Sequence, residues 1–106
     1  MDIQKIINHQ NNYFNSNSTK DVALRINTLK KLKGVIQENE TELYKAIYAD
    51  FKKSEFETYI TEIAFIYNEL NDAIQNLKKW SKQKKVRTNL ANFPAKSYII
   101  PEPLGT

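Results

Sequence analysis

Helix-breaking residues are almost missing from the first ninety positions of this 106-residue chain: glycine occurs only at 34 and 105, and proline only at 94, 101 and 103. Inside a helix, glycine costs about 1 kcal/mol and proline about 3 kcal/mol relative to alanine. A chain that holds them back to its end is therefore free to run as one helix after another. The apolar pattern agrees. From Glu55 to about Lys82, the residues Phe56, Tyr59, Ile60, Ile63, Ile66, Tyr67, Leu70, Ile74, Leu77 and Trp80 recur on one side of a helical wheel. At 100° per residue they span a face roughly 120° wide, which predicts one long amphipathic helix. Such a helix needs neighbours to persist in water, and the sequence supplies them.

Asp2 has the form of a cap for a first helix over 2–14, with Ile3, Ile6, Ile7 and Phe14 on a rough stripe. The polar run from Asn15 to Ser18 interrupts it, because short polar side chains compete for backbone hydrogen bonds. Thr19 reads as the next cap, followed by Val22, Ile26, Leu29, Leu32 and Ile36 on one face. Asn39 and Glu42 have capping-box spacing for a third helix over 40–51, with Leu43, Ala46, Ile47 and Phe51 turned inward. Ser54 and Glu57 form a stronger capping box and open the long helix. The expected fold class is mainly α, an antiparallel helical bundle over residues 1–82 with Trp80 in its core. Residues 83–96 read as a connecting loop, with Leu90 and Phe93 tucked against the bundle, and residues 97–106 as an extended strand. Phe65 lies off the stripe, either as an ordinary exposed aromatic or as part of a second contact surface facing something outside this chain.

Little in the chain can do chemistry. There is no cysteine, so disulfides, a thiolate nucleophile and sulfur-ligated metals are excluded. Two isolated glycines cannot build a phosphate-cradling loop. The single histidine, His9, sits among Asn8, Gln10 and Asn11 on a polar helix and reads as exposed. Glu55, Glu57 and Glu62 read as a solvated face with the acidic bias of a helix start. The expectation is no catalytic, no cofactor-binding and no metal-binding residue. The start lacks the basic end and apolar run of a signal peptide, and no stretch approaches a membrane span; the expected location is cytoplasmic.

Charge is uneven. Residues 78–106 hold seven basic and one acidic residue, net +6, against −2 for residues 1–77. The cluster of Lys78, Lys79, Lys82, Lys84, Lys85 and Arg87 is either a patch for nucleic acid or anionic lipid or a solvated helix end complementing the helix dipole. The sequence favours the second, since no glycine-rich or stacking-aromatic pattern accompanies it.

The end of the chain points elsewhere. Tyr98, Ile99 and Ile100 form a β-prone run, broken by Pro101 and Pro103 and closed by Gly105. No partner strand is evident in the sequence, which suggests a chain that continues beyond Thr106. The run from Lys96 to Gly105 and the run from Asp50 to Ile63 both resemble the N-terminal region of class 3-like NAD(P)-dependent aldehyde dehydrogenases. The resemblance extends from about Phe14 to Gly105. It is carried by Arg25, Leu29 and Leu32; Asn39 to Leu43; Ala46, Asp50, Lys53, Ser54, Glu57, Tyr59, Thr61, Glu62 and Ile63; Asn76 to Trp80; Lys85 to Thr88; and Asn92 to Gly105. Six such elements in order at the family's spacing are specific. The family often has glycine where this chain has Asn17, and prolines near Gln83 and Asn89.

What the resemblance implies is a parent enzyme that oxidises aldehydes to carboxylic acids with NAD or NADP, through a cysteine, a glutamate and an asparagine beyond Thr106. It also implies that this segment is a scaffolding piece of an α/β fold. Its expected partners are the nucleotide-binding and catalytic domains of the same polypeptide, with a homodimer for the whole enzyme and weak self-association of the segment alone. No nucleic acid and no membrane span are expected. A free-standing helical protein-interaction module is the alternative.

Overall fold

The structure, a computed structural model, describes residues 2–105; Met1 and Thr106, the outer ends of the expected 1–82 and 97–106 segments, lie outside the described residues. The chain is mainly helical with one short sheet. It divides into two compact units, residues 2–22 with 77–105, and residues 23–76.

In the first unit, α1 (Ile3–Asn15) starts as expected, with the Asp2 side chain accepting the Lys5 N–H at 3.2 Å. It stops where Asn17 turns left-handed at φ 60°, a conformation that glycine adopts freely and asparagine tolerates. That explains why asparagine can stand at a position where the resemblance leads one to expect glycine. The Ser16 and Ser18 hydroxyls join at 2.7 Å, and Ser16 also donates to the Tyr13 carbonyl. These local bonds stabilise a 3-10 turn at Ser18–Lys20, and Thr19, expected to cap the second helix, lies inside that turn.

The stretch expected to be a loop contains a strand. β1 (Lys84–Val86) pairs antiparallel with β2 (Ser97–Ile99), matching Lys84 to Ile99, Lys85 to Tyr98 and Val86 to Ser97. The terminal run therefore has a partner within the chain, which overturns the expectation that it is unpaired. Thr88 donates to Ser97 at 3.0 Å just past the ladder. A three-residue 3-10 turn at Leu90–Asn92 follows, held by the Asn89 side chain accepting the Ala91 N–H. Leu90 is 85% and Phe93 83% exposed, so neither tucks in. Trp80, expected in the core, is half exposed as well.

In the second unit, α2 (Val22–Glu38, entering the unit at Ala23) and α3 (Glu40–Phe51) are separated by Asn39 alone. Asn39 donates its side-chain amide to the Val35 carbonyl at 2.8 Å and makes no cap bond to α3. The expected capping box is absent because one side chain between two abutting helices serves the end of the first. Ser54 does cap α4 (Glu55–Thr58), accepting the Glu57 N–H at 3.2 Å.

The long helix is not uniform. A π-helical turn, Tyr59–Ile63, joins α4 to α5 (Ala64–Trp80), with the Ala64 N–H bonded to the Tyr59 carbonyl five residues back. One turn of this kind slips the inward face by a residue. The buried positions are Thr58, Ile63 and Leu70, at steps of five and then seven. Thr58 thus takes the inward place that an unbroken α-helix would assign to Tyr59 or Ile60. Phe56 is 75% exposed, and Tyr59, Ile60 and Ile66 are also outside, as is Phe51 on α3, all five expected to face inward.

The apolar core is therefore small, only Ile63 and Leu70 being buried hydrophobics among the described residues. The described chain exposes 8902 Å². Two independent folded units of half its 12.4 kDa expose about 7,400 Å² together. The difference is an unusual amount of uncovered surface, much of it aromatic and aliphatic.

Candidate functional site

The polar organisation of the 23–76 unit centres on Glu40, the first residue of α3. One of its carboxylate oxygens accepts the hydroxyl of Tyr44, one turn along the same helix, and the other accepts the hydroxyl of Tyr67 on α5 at 2.7 Å. These bonds to Tyr44 and Tyr67 hold the Glu40 carboxyl below its ordinary value. The bond to Glu40 pushes the Tyr44 hydroxyl up to about 12, and burial followed by the same carboxylate pushes the Tyr67 hydroxyl up to about 12. A carboxylate that stabilises two neutral phenols is a structural tie, with neither tyrosine available as a base at neutral pH. Lys33 on α2 donates to Asn71 on α5 at 2.8 Å, so α5 is tied to both α2 and α3.

The corner between α3 and α4 is built from the residues that carry the family resemblance. Lys52 ends α3 in the left-handed conformation, φ 57°, with its ammonium 5.3 Å from the Tyr48 ring centre. Lys53 then pairs with Glu62, within the π turn, at 2.6 Å, and Ser54 caps the next helix. Phe51, Lys52, Lys53, Glu57 and Glu62 line a shallow open cleft there. Thr61 donates to the Glu57 carbonyl at 2.7 Å. The run from Lys53 to Glu62 thus owes its residue types to a turn, a cap and an ion pair that set the direction of α4. Glu62, read from sequence as part of a solvated face, is the acid of that pair.

His9 is exposed on α1. Among the described residues no group of three or more histidine, aspartate and glutamate side chains is placed to hold a metal. No helix is long and apolar enough to cross a membrane among them. Phe65 is exposed, in line with its position off the stripe. The Glu40 tie was not anticipated. Its signals were present, Glu40 and Tyr44 four apart and the Tyr67 hydroxyl on the apolar stripe of the long helix, but nothing in the order of residues brings positions 40 and 67 together. The arrangement offers surfaces and ties, with no nucleophile beside a base.

No protein-family model matches the chain. Among curated proteins, it is 43% identical over 94 residues to 4,4'-diaponeurosporen-aldehyde dehydrogenase of Staphylococcus aureus, a match covering 89% of this chain and 20% of that protein. It is 40% identical over 92 residues to aldehyde dehydrogenase family 3 comG of Dictyostelium discoideum, covering 87% of this chain and 20% of the relative. In structure it is similar to substrate-bound Staphylococcus aureus AldH, with a TM-score of 0.90 and 39% identity over 95% of this chain and 22% of that one. Over nearly its whole length the chain is similar to class 3 aldehyde dehydrogenases. It matches an N-terminal portion of them and spans about a fifth of the length of these relatives. The aldehyde dehydrogenase elements recognised in the sequence from Arg25 to Gly105 are the ones that build the α3–α4 corner and the β1–β2 ribbon.

Proposed function

We propose that this chain is the N-terminal part of an enzyme that oxidises aldehydes to carboxylic acids with NAD or NADP, and that its own role within that enzyme is structural. The observation that carries this is agreement with an aldehyde dehydrogenase in both sequence and backbone across 95% of the chain. The exposed side chains of α4, the π turn and α5, such as Phe56, Ile60 and Ile66, suit a surface covered by the nucleotide-binding and catalytic parts of the same polypeptide. The parent is a cytoplasmic homodimer in this proposal. The segment alone associates weakly through the open edges of its two-stranded ribbon and its uncovered apolar groups.

Two measurements test it. The product of the complete reading frame is expected to reduce NAD or NADP when given an aldehyde, the one named for the Staphylococcus aureus relative being a first choice; no turnover with a panel of aldehydes refutes the enzymatic part. Calorimetric titration of the 106-residue chain with NAD and NADP is expected to give no saturable signal, because a pyrophosphate site needs a glycine-rich turn that glycines at 34 and 105 cannot build. Saturable micromolar binding at one site per chain refutes the structural role.

A further inference from the structure

The π turn at Tyr59–Ile63 is disfavoured on two counts. Its hydrogen bond closes across five residues, a geometry that occurs mostly as single turns inside α-helices. It also holds Thr58 fully buried with the hydroxyl unpartnered, and a buried polar group without a partner is destabilising. An unbroken α-helix over the same residues carries neither penalty. In that register Tyr59, four residues before Ile63, takes the inward place of Thr58. Everything N-terminal to it is displaced by one residue, about 1.5 Å along the axis and about 100° around it. The Ser54 cap travels with α4 and suits either register. Ile63 and Leu70, both buried, hold α5 in the same place in both.

The ion pair distinguishes the two registers. Lys53 Nζ donates to Glu62 Oε1 at 2.6 Å, with the lysine side chain only 22% exposed. Lys53 precedes the turn and Glu62 sits beside Ile63 at its end, so the pair straddles the inserted residue. Displacement by one residue brings Ser54, which carries no charge, to the place of Lys53 and separates the pair. The burial of Thr58 and Ile63 and the contact of Lys53 with Glu62 are made within this chain. Further polypeptide packed outside adds to that burial without undoing it. We propose that the Tyr59–Ile63 turn is a latched joint with two registers. The Lys53–Glu62 pair holds the π register; its loss lets α4 slip into the α register, which exchanges Thr58 for Tyr59 inside and re-aims the α3–α4 corner while α5 stays in place.

The 106-residue chain has no cysteine, so a single introduced thiol reports on its own position. The thiol of Thr58→Cys is expected to react slowly with an aromatic disulfide reagent. Adding Lys53→Glu or Glu62→Lys is expected to speed that reaction about tenfold, the factor for a charge-assisted hydrogen bond in a partly exposed setting, because labelling follows the population of the open register. The swapped pair K53E/E62K restores opposite charges and is expected to return the slow rate. Below the unfolding transition, added urea is expected to leave the faster rate nearly unchanged, since a slip exposes little new surface. Deleting Ile60 removes the inserted residue and sets Thr58 and Ile63 four positions apart in an unbroken helix. In that background the single charge changes are expected to leave the Thr58→Cys thiol slow. An unchanged rate on breaking the pair, no recovery in the swapped pair, or equal acceleration after the deletion would overturn the proposal. So would a rate that climbs steeply with urea, which would mark unfolding of the chain in place of a slip. None of these readouts depends on aldehyde turnover.

Discussion

Replacing Tyr67 by phenylalanine removes a single oxygen and cuts the hydroxyl bond from α5 to Glu40 on α3. A hydrogen bond to a charged group contributes about 1.5–3 kcal/mol. Both partners are only partly buried here, and solvent screening reduces the figure to about 1 kcal/mol. In a domain of this size that corresponds to a melting point lower by roughly 4–8 °C. The pH dependence is more telling. The Tyr67 hydroxyl is raised from 10.0 to about 12 in the fold, so the folded chain holds this proton more tightly than the unfolded chain does. The resulting stabilisation is complete below pH 10, and is lost as pH rises through the folded value near 12. Glu40 works in the opposite sense. Its folded value lies below 4.5, so its contribution is present above 4.5 and disappears as pH falls through the lowered value. Thermal melts of the parent and of Tyr67→Phe across the pH range are expected to show a lower plateau for the variant and a shallower alkaline decline, because phenylalanine has no proton to lose. Absorbance titration of tyrosinate is expected to show one fewer late-ionising tyrosine. Identical melting of the two proteins at neutral pH, together with the same alkaline decline, would refute the assignment of Glu40 as a tie between helices.

Ile63→Ala empties a position that is 2% exposed and is expected to cost about 2–5 kcal/mol; with so small a core, circular dichroism should show helix content collapsing in mild denaturant. Thr58 is fully buried and its hydroxyl has no hydrogen-bond partner, so Thr58→Val, of nearly the same shape, is expected to be neutral or to stabilise by about 1 kcal/mol, read as an unchanged or higher denaturation midpoint. Lys52 holds a left-handed φ of 57°, at a cost of about 1–2 kcal/mol for a residue with a Cβ. Lys52→Asn relieves part of this while giving up an exposed cation–π contact of about 0.5 kcal/mol, and a slightly higher denaturation midpoint is expected.

Several features follow from local order alone. The four helical stretches were legible because side-chain period, caps at Asp2 and Ser54, and the exclusion of proline all act within one or two turns. The relationship to aldehyde dehydrogenases was legible for a similar reason: Lys53, Ser54 and Glu62 are fixed by a cap and an ion pair nine residues apart, so their spacing survives as a recognisable string. What only tertiary structure decided involves phase and distance. The π turn at Tyr59–Ile63 leaves the composition of the stripe untouched yet exchanges Thr58 for Tyr59 and Ile60 on the inward face. A periodicity of 3.6 carries no mark of where one extra residue is inserted. The pairing of Lys84–Val86 with Ser97–Ile99 likewise joins two three-residue runs, too short to stand out by alternation. The Glu40–Tyr67 bond closes a separation of 27 residues, and neither residue's neighbours in sequence announce the other. Exposure was the least legible property, because whether Phe56 or Trp80 is buried depends on what packs against it, and helical periodicity records only which side of the helix a residue occupies.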